Sequence, residues 1–121
     1  MYKVEFTESA VKQLKKLDKQ TVRVIKNWVI KNLVNTPDPR LHGKALKENL
    51  KGIWRYRVGD YRLFASIEEE IITISIFEIG HRRDIYKKKK SINALFFFIK
   101  DTFNKLGYKA KINTHTTSYI N

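Results

Sequence analysis

The spacing of apolar residues along this chain changes period several times, and each change predicts an element. Residues 2–6, YKVEF, alternate and carry β-branched and aromatic side chains, which predicts a first strand. ESAVKQLKKLD (8–18) then places Ala10, Val11, Leu14 and Leu17 on one helical stripe with lysines on the other face. Thr7 or Ser9 can cap this helix. A second helix follows in QTVRVIKNWVIKNLVN (20–35), where Val22, Ile25, Val29 and Leu33 share a face. It must stop before TPDPR, because Pro37 and Pro39 cannot continue it. RLHGKALKENLKG (40–52) reads as a connector with room for a turn of helix.

Three strand-like runs come next, at 53–58, 61–68 and 71–79. Gly59-Asp60 separates the first two as a two-residue loop with Gly first, which suits a type II′ turn. EEE (68–70) marks the next turn, and IITISIFEI has the β-branched content of a central strand. The order β-α-α-β-β-β predicts an α+β fold: two N-terminal helices packed on one face of a four-stranded, largely antiparallel sheet. From Lys87 onward comes KKKK (87–90), then SINALFFFIKDTFNKLG, in which Ile92, Leu95, Ile99, Phe103 and Leu106 fit one helical stripe. Ser91 and Gly107 suit the two caps of this extra C-terminal helical extension. The predicted organisation is a domain over 1–87 and an extension over 88–121.

The Gly-Asp turn also fixes a register. Val58 should face Tyr61, Arg57 Arg62, Tyr56 Leu63, Arg55 Phe64 and Trp54 Ala65. Strand alternation then puts Trp54, Tyr56, Val58, Tyr61, Leu63, Ala65 and Ile67 on the face that covers the helices. Arg55, Arg57, Arg62, Phe64 and Ser66 fall on the opposite face, expected to be uncovered. Like charges directly opposite in a strand pair are destabilising, so Arg57 against Arg62 has a cost. Guanidinium groups beside an aromatic suit a phosphate with an adjacent base. IGHRRDIYK (79–87) brings His81, Arg82, Arg83 and Tyr86 to the end of the last strand, where the segment can fold over the arginine face. His titrates near neutrality, and Tyr can exchange a proton or stack on a base.

Charge sharpens the picture. The 121 residues carry 25 Lys and Arg against 12 Asp and Glu, for a formal charge of +13. A basic domain this small points to nucleic acid, an anionic surface or an acidic partner. No cysteine is present, which removes disulfide and thiolate chemistry, and three scattered histidines offer no convincing metal site. The longest apolar run, ALFFFI, is too short to span a bilayer, so no membrane association is expected. The N-terminus lacks the layout of a signal peptide, and the expected location is the cytoplasm. No P-loop, dinucleotide fingerprint or nucleophile elbow occurs, and no cofactor is expected.

GKALKENLKGIWRYRVGDYRLFASI followed by IFEIGHRRDIY resembles the RelE/ParE superfamily of bacterial toxins from toxin–antitoxin pairs, and in particular the RelE-type mRNA interferases. The likeness runs from Val4 to Tyr86. It implies a ribosome-dependent, metal-independent endoribonuclease acting in the ribosomal A site. In that chemistry the ribose 2′-OH attacks the adjacent phosphate, leaving a 2′,3′-cyclic phosphate and a 5′-OH end. The implied set is Arg55 and Arg57 before the hairpin for proton removal or phosphate holding, and Arg62 for the phosphorane. Arg82 is implied for the leaving group, and Tyr86 for the nucleotide. Arginine at 55 and 57, where some members have lysine, is a poor general base, which shifts proton transfer toward His81 or Tyr86. In the YoeB-like branch a carboxylate precedes the LKENLKG-type segment; here Lys44 stands there, so a Glu–His pair is not implied. Lys44, Lys47, Lys51, Phe64, Arg83 and Lys87 are the expected RNA contacts. The implied partners are a cognate antitoxin, the ribosome with mRNA in its A site, and operator DNA only through the antitoxin complex. The alternatives are a ParE-like inhibitor of DNA gyrase and a catalytically inert binding module.

Overall fold

The computed structural model of the chain describes residues 1–88, 90–101 and 116–117. Strand β1 (Lys3–Thr7) runs directly into helix α1 (Glu8–Lys15), whose first turn is capped by the Thr7 hydroxyl accepting from the Ala10 N–H at 3.3 Å. Helix α2 (Lys19–Asn32) starts at Asp18, whose carboxylate accepts from the Thr21 N–H at 3.1 Å. The Thr21 hydroxyl and then its N–H hold the Asp18 carboxyl below the usual carboxylate range. That contribution is present at neutral pH and is lost as pH falls through the lowered value. The first helix is thus shorter than its apolar stripe suggests, because Asp18 serves the second.

The connector contains a short strand, β2 (Gly43–Ala45), and a 3-10 turn over Glu48–Leu50. Strands β3 (Trp54–Val58), β4 (Tyr61–Glu68) and β5 (Thr73–His81) follow. Helix α3 is described over residues 90–101, and β6 is Thr116–Thr117. The expected stripe positions Phe103 and Leu106 and the expected cap Gly107 lie outside the described residues.

The sheet order is β2-β3-β4-β5-β1-β6, with β1 parallel to β5 and the other pairs antiparallel. The α+β class and the two helices on one face hold. The four expected strands become six, because GKA adds an edge beside β3 and Thr116–Thr117 adds one beside β1. All five expected β3–β4 pairs are present, from Trp54↔Ala65 to Val58↔Tyr61. Gly59 takes φ 59°, the conformation a II′ turn demands of its first residue.

Two cores sandwich this sheet. Ala10, Leu14, Ile25, Val29 and Leu33 from the helices pack on Tyr56, Val58, Leu63, Ala65, Ile74 and Ile76. The opposite face is not open, as the sequence suggested: Ile92, Phe96 and Ile99 of α3 cover Phe64 and Phe77, joined by Leu50, Ile53 and Ile85. Lys100 anchors the far end of α3 on the buried Glu68 carboxylate at 3.2 Å. Tyr56, fully buried in the first core, donates its hydroxyl to the Pro39 carbonyl at 2.6 Å, and burial raises its pKa. Tyr56→Phe should therefore cost about 1 kcal/mol, read as a lower urea midpoint at unchanged slope.

Candidate active site: an arginine cluster at one end of the sheet

Two rows of residues cross the sheet on the face away from α1 and α2. One is Lys44–Arg55–Phe64–Glu78, and the next is Arg57–Arg62–Gly80. The strand pairing alone brings three arginines and a lysine into one patch. Arg57 is exposed, whereas Arg55 and Arg62 are half-buried. A shallow groove of about 260 Å³ opens along the β2 edge between His42, Gly43, Lys44, Arg55 and Arg57.

The chain after β5 completes the patch. Residues Ile85–Lys88 form a 3-10 turn that lies back on the sheet. A Cβ on Gly80 would stand 3.3 Å from Ile85 Cβ, so glycine gives this turn the room it needs. The turn lays the Tyr86 ring against Phe64, with centroids 5.7 Å apart, and brings its hydroxyl to Arg55, whose Nη1 donates to it at 3.1 Å. Arg55 Nε is buried without a hydrogen-bond partner. Gly80→Val should lift this turn from the sheet and separate Tyr86 from Arg55, seen as altered tyrosine and arginine side-chain resonances in an otherwise folded protein.

Arg62 is the electrostatic centre. Burial and then the positive charges of Arg57, Arg55 and Arg82 hold its guanidinium below its usual range, while Tyr86 acts in the opposite sense. Arg62 remains charged, so the field is unspent and ready for an anion. Its Nη1 donates to the carbonyls of Gly59 and Tyr61, each at 3.0 Å. Arg82 Nε stands 3.4 Å from Asp60 Oδ1, with both side chains well exposed.

The other expected site residues divide. Lys44 lies in the arginine row; Arg83 and Lys87, which is 3.8 Å from Asp84, are exposed in the segment after β5, and Lys47 and Lys51 are exposed in the loop beyond the Trp54 end of β3. Phe64 corrects an expectation, since it is fully buried under Tyr86 and α3 and cannot stack on a base. His81 pairs with Tyr61 on the helix-covered side of the sheet, its ring edge-on at 5.5 Å. Its Nδ1 accepts from the Arg83 N–H at 3.1 Å, so it faces away from the arginine rows. His42 and Asp60 also stand at this patch. The first reaches the patch only because β2 forms, and the second carries no sequence signal beyond its place in the Gly-Asp turn. Among the described residues no three His, Cys, Asp or Glu side chains form a metal site, and no helix is long and apolar enough to cross a membrane.

Comparison with known proteins bears on the fold and the family. Residues 4–86 match the family described as the ParE toxin of the type II toxin–antitoxin system parDE. The chain is 33% identical over 87 residues to toxin RelG of Mycobacterium tuberculosis, covering 72% of this chain and 98% of that one. It is 31% identical to toxin RelE of the same organism over 86 residues, covering 71% of this chain and 87% of that one. Among solved structures, a chain of the M. tuberculosis RelBE2 toxin–antitoxin complex superposes with a TM-score of 0.61 at 32% identity, covering 67% of this chain and 98% of that one. The chain belongs to the RelE/ParE superfamily of type II toxin–antitoxin toxins.

Proposed function

We propose that this toxin is a ribosome-dependent mRNA endoribonuclease that cuts in the A site without a metal. The observation that carries the reading is the convergence of Arg55, Arg57, Arg62 and Arg82 with the Tyr86 hydroxyl at one end of the sheet. Attack of the 2′-oxygen on phosphorus, with its proton passing to solvent water, adds negative charge to the phosphoryl oxygens, and preformed cations at that point lower the barrier. Arg57, exposed, and Arg62, half-buried, meet the phosphate. Arg82 approaches the departing 5′-oxygen. Arg55 already donates to the Tyr86 oxygen, so the Tyr86 O–H proton points elsewhere and can be given to that 5′-oxygen as the P–O bond breaks. The exposed lysines Lys44, Lys47, Lys51 and Lys87, with Arg83, supply backbone attraction that weakens with salt.

Chains of the RelBE2 complex and of the archaeal RelE–RelB complex from Pyrococcus horikoshii (TM-score 0.52, 27% identity) come from toxin–antitoxin assemblies. By analogy this protein has a cognate antitoxin. The family match bears the ParE name, which keeps gyrase inhibition as the second reading.

Primer extension on an mRNA translated in vitro separates the two. New ends inside A-site codons, seen only with ribosomes present, are expected. An intact message together with inhibited DNA supercoiling would favour the gyrase reading. Tyr86→Phe should slow cleavage by about tenfold or more while the thermal midpoint stays put, measured as single-turnover rate and melting curve.

A further inference from the structure

The turn between β3 and β4 touches two of the four arginines. Arg62 Nη1 donates to the Gly59 and Tyr61 carbonyls, and the Arg82 N–H donates to the Asp60 carbonyl at 2.8 Å. The Asp60 carboxylate then faces Arg82 Nε at 3.4 Å. Turn geometry does not require that carboxylate, because the demanding conformation belongs to Gly59 at φ 59°. Arg82 does require something of the kind. Its charge repels Arg62, which Arg57 and Arg55 already crowd.

We propose that Asp60 is a positioning residue: its carboxylate holds Arg82 by its Nε edge beside Arg62, before and after RNA binds, so that the Nη groups meet the RNA at the departing 5′-oxygen. The inference rests on the interferase reading. A guanidinium carries five N–H donors, so a carboxylate on its Nε edge leaves others for the oxygens of a phosphodiester. Two opposite effects follow. A carboxylate at the mouth of a cationic site lowers its attraction for RNA, while the aim it gives Arg82 raises the rate once RNA is bound.

The test is single-turnover cleavage on mRNA-programmed ribosomes by the full chain and by Asp60→Asn, Asp60→Glu, Arg82→Ala and the Asp60→Asn/Arg82→Ala double variant. Asp60→Asn should lower the saturated rate by about tenfold. It should also lower the half-saturating concentration by about two- to fivefold. Asp60→Glu should recover most of the rate, and the double variant should be no slower than Arg82→Ala alone. An unchanged saturated rate in Asp60→Asn, or an equal loss with and without Arg82, overturns the proposal. If the unaltered protein cuts no RNA, the interferase reading fails separately, and the pair is read by the Arg82 Nε–Hε NMR signal. A protected signal that disappears in Asp60→Asn, at unchanged melting temperature, supports the pairing; one that is unaffected overturns it.

Discussion

Arg62→Ala should reduce cleavage by at least about 100-fold while leaving the protein as stable as before or more so. The two halves of this expectation share one cause. Arg62 lies opposite Arg57, and the charges of Arg57, Arg55 and Arg82 oppose its own. Removing it relieves repulsion in the free protein, where no phosphate is present to balance it. The hydrogen bonds lost run to the Gly59 and Tyr61 carbonyls, in an exposed or part-buried turn where water can replace the guanidinium. The measurement pairs single-turnover cleavage with thermal unfolding. A loss of activity accompanied by a drop in melting temperature would mean that Arg62 is structural.

The second large effect is expected on the other part of this face. Phe96→Ala should destabilise the protein by about 3 kcal/mol or more, read from urea unfolding. Phe96 is nearly buried, packs on Phe77 with centroids 6.1 Å apart, and carries Lys100 over its ring at 5.7 Å. Its core includes Ile85, one residue before Tyr86, so loosening α3 should also disturb the turn that presents the Tyr86 hydroxyl. Cleavage should fall with stability in this variant, unlike in Arg62→Ala. Phe97→Ala is the control: Phe97 is 63% exposed, and its replacement should change stability by no more than about 0.5 kcal/mol.

These contrasts trace what could be read in the amino-acid order. The β3–β4 register was legible because a two-residue turn with Gly first admits few alternatives, and alternation then sorted Arg55, Arg57 and Arg62 from Tyr56 and Leu63. Alternation says which face a side chain takes but not what covers that face, so Phe64 read as available for RNA although α3 buries it. The β5 periodicity slips at an irregularity opposite Phe64 and Ala65, which lets Ile76 and Ile79 share the helix-side core while Phe77 joins the other. No local signal announces that slip. Gly43–Ala45 is too short to show alternation and becomes a strand only because β3 offers an edge. His81 looked available from its place beside Arg82, yet its pairing with Tyr61 turns it to the helix side. The arginine cluster itself was legible because fixed charge inside a β pattern has a cost that the fold alone does not require.

The most direct test of the account is the chemistry of the cut. Purified ribosomes programmed with mRNA carrying either ribose or a single 2′-deoxyribose at the mapped A-site cleavage position should be treated with toxin that has been stripped with EDTA and dialysed, or with untreated toxin, and the new ends identified. A 2′,3′-cyclic phosphate is expected on the upstream fragment and a 5′-OH on the downstream one, with no cut at the deoxy position. A 5′-phosphate product, or undiminished cleavage at the deoxy position, would contradict this expectation.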